Sequence, residues 1–315
     1  MPLSNIIRLA GAAGLAATAL TVGGLAAPVM GRVADPGTAG CLTPDTNEEV
    51  AAARGGPTGV DHRGISAAEQ RAITRRTSSR LAASGTSGTS GTSGPSQRAG
   101  TALVAKTVPV YVHVMRDAAG AGDVTNWQIT QQIAVLNSDF AQAGVSFNLI
   151  DTRRYNNDLW HNDWQSARYR SLTRVGGVKA LNIWLVDARW FGIATFPWDY
   201  AAEGDIDGIR IDFESLPGGS IIHYNEGKTA THETGHWLGL FHTFQGGCTR
   251  LNDQVDDTPA QATPTSGCPA GRDSCMLPGN DPIHNYMDYS WDSCYTEFTQ
   301  GQAQRIDRMW AAYRA

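Results

Sequence analysis

His232-Glu233-Thr234-Gly235-His236-Trp237-Leu238-Gly239-Leu240-Phe241-His242 is the stretch that decides how the rest of this chain reads. His232 and His236 are four residues apart, so a helix puts them on one face, one turn apart, where two imidazoles can share a zinc ion. Glu233 follows the first ligand and can reach a water on that ion. Gly239 suits a left-handed turn that ends the helix, because a residue with a Cβ resists positive φ. The turn swings His242 back as a third ligand. Three protein ligands leave the fourth tetrahedral position open, the arrangement of a catalytic rather than a structural zinc. A core helix carrying two hydrogen-bonded histidines is the competing reading of the bare H-E-x-x-H, and it gives no reason for Gly239 and His242.

Downstream, Asn285-Tyr286-Met287-Asp288-Tyr289 holds a methionine-containing turn of the kind that follows this motif in metzincin metalloproteases. Gly246-Gly247-Cys248, Asp257-Thr258-Pro259, Asp273-Ser274-Cys275, Phe298-Thr299 and Gly301-Gln302 extend the pattern. With them, the stretch from Thr229 to Gln302 resembles the pappalysin family of metzincins, in its smaller secreted microbial branch. A looser likeness reaches back to about Val108.

The resemblance implies an α/β (α+β) fold: a twisted mixed sheet, the zinc helix above the cleft, and an irregular disulfide-braced lower subdomain ending in a helix. It implies a zinc endopeptidase with His232, His236 and His242 on the metal, Glu233 as general base and Met287 in a hydrophobic floor beneath. Tyr289 matches the position where related metzincins place a tyrosine whose hydroxyl can donate to the developing oxyanion. A packing aromatic is the alternative there. The resemblance pairs Cys248 with Cys275 and Cys268 with Cys294, whereas the sequence itself allows three connectivities. It gives Gly192-Ile193-Ala194-Thr195-Phe196 the place of the edge strand along the cleft, where an extended substrate can add as an antiparallel strand. Related enzymes also hold calcium, and Asp253, Asp256, Asp257, Asp273 and Asp281 offer oxygen ligands, although no EF-hand loop is present.

The 315 residues suffice for one sizeable domain plus extras. Residues 101–315 carry 16 Lys and Arg against 24 Asp and Glu, a net charge of −8, while residues 1–100 stand at +3. The acidic region argues against nucleic acid as a partner and suits a cationic polypeptide substrate. Four of the five cysteines fall between Cys248 and Cys294. Behind an export signal they read as two disulfides rather than a second metal site, and no C-x-x-C pair is present.

Residues 1–34 read as a signal peptide, with Arg8 ahead of the apolar run Leu9–Ala27. Its four glycines and two threonines argue against a permanent anchor, so the product is expected to be secreted, with no membrane association after processing. Residues 35–83 read as a propeptide. There Ser66-Ala67-Ala68-Glu69 forms a capping box for one helix, with Ile73 on the following turn, too small a piece to bury a core alone. Residues 84–100, built on three Gly-Thr-Ser repeats, read as a linker. Arg75, Arg76, Arg80 and Arg98 are the candidate processing sites. Cys41 is left over once the other four cysteines pair. Its thiolate could take the open zinc position and keep the precursor latent, an incidental thiol being the alternative.

The metalloprotease domain is expected over 101–315, with strands at Val108–Val114, Val145–Ile150, Leu181–Val186 and Ile209–Ile211. Helices are expected at Ile129–Ala143, from Lys228, and at Thr299–Tyr313, with Ile221-Ile222 as a further apolar piece. Thr243–Pro282 is too irregular to hold its shape by packing alone, so the disulfides supply the restraint, each worth about 3–4 kcal/mol in the chain-entropy model. Asp292 lies five residues past Met287 and two before Cys294. In metzincins that segment walls the pocket for the residue after the cleaved bond, and a carboxylate there would select Arg or Lys. A solvent-facing Asp292 is the alternative. Two other functions fit the same motif: a non-catalytic binding module on a zinc scaffold, and a zinc hydrolase of a non-peptide cell-wall amide. The intact Glu233 opposes the first and the edge strand opposes the second.

Overall fold

The structure, a computed structural model, describes residues 65–85 and 103–315 apart from Arg189. The expected signal peptide, Cys41, His62, Arg98 and most of the linker lie outside the described residues. The first element is α1 (Ala67–Ala83), and the Ser66 hydroxyl caps it by accepting from the Glu69 N–H at 3.2 Å. Arg75, Arg76 and Arg80 therefore lie within a helix rather than in extended chain.

The sheet grows outward from β1 (Lys106–Arg116), where Val108, Val110, Val112 and Val114 alternate onto a buried face. The chain then crosses through α2 (Asn126–Asp139), whose Ile129, Ile133 and Leu136 pack onto that face at helical spacing. It returns as β2 (Val145–Asn156), parallel to β1 and longer than the apolar run Val145–Ile150 indicates. The helix expected to reach Ala143 stops at Asp139. Phe140 caps it, and a single 3-10 turn leads to Gly144 at φ 66°. β3 (Leu181–Val186) lies parallel to β1, and β5 (Ile209–Asp212) parallel to β3. β4 (Gly192–Ala194) runs antiparallel to β5 and closes the order β2-β1-β3-β5-β4, so it stands at the edge.

Three short helices were not signalled by apolar spacing: α3 (Asp158–His161), α4 (Ser166–Thr173) and α5 (Tyr200–Glu203). Each is too short to show a period, and α4 begins at Gln165 in a left-handed conformation without a side-chain cap. Ile221-Ile222 belongs to no strand, and Ile222 is exposed. Away from the motif, His113 in β1 pairs with Asn182 Oδ1 at 2.8 Å, and burial lowers its pKa to about 4.

The zinc-type helix is α6 (Lys228–Trp237). Between His242 and the last helix, the described chain holds only a 3-10 turn at Asp292–Cys294 and one isolated bridge, Asn285 to Glu297. Disulfides Cys248–Cys275 and Cys268–Cys294 brace this stretch in the pairing that the resemblance implied. The final element is α7 (Gln300–Tyr313), with Ile306 and Met309 buried. After it the fully buried Arg314 forks onto Asp207, donates to the Trp237 carbonyl and stacks 3.6 Å from the Trp237 ring centroid. That pair ties the last helix to the end of α6.

Candidate active site

α6 carries His232 and His236 on its buried face, and the turn after it supplies His242. That turn depends on Gly239 at φ 97°, where an added Cβ would also stand 2.6 Å from Met309 Cγ. The three Nε2 atoms converge to 3.1, 3.1 and 3.2 Å from one another. Bonds of about 2.0–2.1 Å in tetrahedral geometry separate zinc ligands by roughly 3.3 Å, so the donor set and its spacing fit that ion. The far nitrogens explain the aim. His232 Nδ1 sits 2.7 Å from the Tyr286 carbonyl and His236 Nδ1 2.9 Å from that of Leu240. A carbonyl only accepts, so each Nδ1 carries the proton and each Nε2 keeps a lone pair for a metal.

Glu233 is fully buried beside this triad, directly beneath the edge strand. Gly192 begins β4 there, and a Cβ on it would stand 2.6 Å from Glu233 Cδ. The contact explains a glycine in a strand position where no positive φ requires one. On the other side, Met287 is fully buried and its thioether fills the space that a side chain on Gly235 would need. The Met287 N–H donates to Asn285 Oδ1 and its carbonyl accepts from the Thr243 N–H. The floor is thus fixed to the segment just past His242. The Tyr289 ring packs 5.5 Å from His232 and 4.9 Å from His242, centroid to centroid.

Residues quoted above only as motif turn out to hold the floor in place. Asn285 and Gln302 exchange both amide hydrogen bonds, at 2.7 and 3.0 Å, and Gln302 Oε1 also accepts from the Thr299 N–H in the capping box of α7. Asp257 accepts from the Thr299 hydroxyl and the Gly301 N–H, tying the Asp-Thr-Pro stretch to the same helix start. Asp288, buried with its carboxyl pushed up, accepts from Gln261 and from the Thr265 N–H. On the opposite flank Asp139 receives Lys228 Nζ, the Thr231 hydroxyl and the Tyr286 hydroxyl. Asp139 had no signal in the sequence. Its partners lie from 89 to 147 positions away, on α6 and on the residue whose carbonyl orients His232.

Asp292 is buried rather than solvent-facing, and its Oδ2 accepts from the N–H groups of Glu226 and Lys228, at 2.9 and 3.4 Å. The carboxylate thus sits at the start of α6. Four of the five acids offered for calcium make contacts within the fold. Asp257 caps α7, Asp281 pairs with Arg272 and the Ser274 N–H, Asp273 accepts from the Cys275 N–H, and buried Asp253 accepts from the Val255 N–H. Among the described residues the ligand-type clusters are His232–His236–His242 and Cys268–His284–Cys294. The two cysteines of the second are already joined to each other.

With this geometry in place, the chain can be set beside known proteins. Residues 154–312 match the family described as pregnancy-associated plasma protein-A peptidases. An extracellular metalloprotease of Verticillium alfalfae is 50% identical over 226 residues, covering 68% of this chain and 79% of the relative. Extracellular metalloprotease 1 of Coccidioides posadasii is 46% identical over 216 residues, covering 66% and 78%. Among solved structures, a promirolysin mutant of Tannerella forsythia superposes with a TM-score of 0.58 at 26% identity, covering 66% of this chain and 81% of that one. Mature mirolysin in complex with a cleaved peptide gives 0.56 at 28%, covering 65% and 91%. A matched region of half the chain, a curated relative at 50% identity and a triad of converging imidazoles agree. The chain belongs to the pappalysin family and is a metalloendopeptidase.

Proposed function

We propose that the protein is a secreted zinc endopeptidase, made as a latent precursor, that hydrolyses polypeptides bound in extended form along β4. The observation that carries the reading is the convergence of three Nε2 atoms beside a buried glutamate that lies under the edge strand of the sheet. His232, His236 and His242 would hold a zinc ion, which would supply Lewis acidity for water activation and carbonyl polarisation. Glu233 takes the proton of the attacking water and returns it to the leaving amine. The edge of β4 pairs with the substrate backbone and holds the scissile bond over the triad. Tyr289, packed against two of the ligands, turns its hydroxyl toward the developing oxyanion. Met287 keeps the floor apolar, and Asp292 biases the pocket after the cleaved bond toward Arg or Lys. Zinc is the metal that this chemistry requires.

Mature mirolysin has been solved with a cleaved peptide, and the fungal relatives are named extracellular metalloproteases. Both support a polypeptide substrate and export. The described residues contain no helix long and apolar enough to cross a membrane. A cell-wall amide hydrolase remains the second reading, and it leaves the edge strand without a use. Casein digestion tests the assignment. Activity should vanish with chelator and return with zinc, and Glu233→Ala should lose at least about a hundredfold while keeping its metal. A Glu233→Ala protein within tenfold of wild type sinks the mechanism. Latency is assigned to Cys41, whose thiolate would serve as a metal ligand in the precursor. Unprocessed Cys41→Ser protein should therefore be more active than unprocessed wild type, and equal activities remove Cys41 from that role.

A further inference from the structure

The helix within the expected propeptide does not stand apart from the catalytic domain. Gln70, Ile73 and Thr77 form the buried face of α1, with Ile65 buried just ahead of it, while Arg71, Arg75 and Arg76 are exposed. Ile65 and Ile73 join a cluster with Phe196, Trp198, Phe241 and Met309, with Tyr313 packed against it. Polar contacts lock the helix at both ends. Gln245 Nε2 donates to the Ile65 carbonyl at 2.7 Å, and the Thr77 hydroxyl meets that of Tyr313 at 3.0 Å. Arg80 lies 4.8 Å from the Tyr313 ring centroid and reaches the Ala312 carbonyl.

The surface under α1 belongs to the metal site. Phe196 follows β4, stacks on Trp198 at 4.4 Å and sets its edge against the His236 ring at 5.4 Å. Phe241 immediately precedes the third ligand, and Gln245 comes three residues after it. Without α1 these rings would face water, and the wall behind His236 would lose its backing. A protease, moreover, takes its substrate extended, so Arg75, Arg76 and Arg80 inside the helix are poor places to cut.

We propose that Ile65–Ala83 is a permanent part of the active enzyme, seated on Phe196, Trp198, Phe241 and Met309, and that the removable prosegment ends before Ile65. Arg54 and Arg63 are the basic residues that remain upstream for processing. The Gly-Thr-Ser linker then serves as a tether. A short Gly/Ser-rich connection gives an effective concentration in the millimolar range. As a free 17-residue peptide the helix would be only marginally formed. The inference rests on the precursor reading only for where processing ends, and the brace itself is tested without catalysis.

The full chain is made with Glu233→Ala to prevent self-digestion, with and without Ile73→Asp, and with Arg76→Ala as a surface control. Ile73→Asp should lower the melting temperature by about 5 °C and speed removal of bound zinc by chelator about tenfold, with Arg76→Ala unchanged. Because α1 can lift off without unfolding the domain, a second form carries a site-specific protease sequence in the linker. After cutting, either the fragment co-elutes with the domain or its loss reproduces the Ile73→Asp shift. Loss of the fragment with melting and zinc retention unchanged overturns the proposal. So does a fully active wild-type enzyme whose intact mass shows that α1 is gone.

Discussion

Gly192→Ala tests whether the edge strand sets the position of the general base. The new Cβ would lie 2.6 Å from Glu233 Cδ, against about 3.5–4.0 Å for carbons in contact, so one of the two must retreat by roughly 1 Å. Alanine suits strand backbone, and Gly192 is not among the positive-φ residues, so the substitution adds bulk without backbone strain. A misplacement of that size costs about a hundredfold where geometry governs the step, and a general base contributes roughly 10²–10⁴ in all. A loss of about 30- to 1,000-fold in kcat on a fluorogenic peptide is expected, with zinc content unchanged because Glu233 is not a ligand. If β4 retreats instead of Glu233, the loss appears in KM. Glu233→Asp shortens the base by one methylene and makes room, so adding Gly192→Ala to that variant should cost little. Activity of Gly192→Ala within about threefold of wild type, at full zinc occupancy, would refute the reasoning.

Asp292→Ala should erase any enrichment of Arg or Lys just after the cleaved bond in a peptide-library profile, and an unchanged profile rules out the pocket role. Asp212 gives a pH signature. Burial, with Asp187 and Glu214 nearby, pushes its carboxyl up to about 7 despite donation from the Glu214 and Ala188 N–H groups. The native state therefore holds this proton where the unfolded chain has released it. Stability from this group is complete below about pH 4, declines by at most about 4 kcal/mol as pH rises through 7, and is flat above. Asp212→Asn removes that decline, so urea unfolding should show the variant gaining on wild type between pH 4.5 and 8. A difference independent of pH contradicts the assignment.

The parts of the site that were legible in the sequence are those whose geometry is local. His232 and His236 share a face because a helix turns every 3.6 residues, and Gly239 marks a turn that only its backbone adopts easily. α6 and α7 begin where expected, near Lys228 and Thr299, whereas the helix expected at Ile129–Ala143 runs from Asn126 to Asp139. What the sequence hid is pairing across distance. Asp139 with Tyr286, Asn285 with Gln302 and Asp257 with Thr299 are ordinary polar residues until folding brings them together. The docking of α1 was hidden likewise. A helix whose large apolar side chains are Ile73 and Leu81 alone cannot make a core, and its partners Phe196, Trp198, Phe241 and Met309 lie more than a hundred residues downstream.

β4 is three residues long and leaves one side open. A guest strand must bring several consecutive residues with their N–H and C=O groups free of other partners, and native proteins rarely offer such a run. Digestion of a folded protein must then wait for that protein to open locally. When opening and reclosing outpace cleavage, the observed rate scales with the population of the open form. Against native targets, this enzyme would act as a probe of its substrates' local stability, ranking their segments by the free energy needed to bare a few residues of backbone.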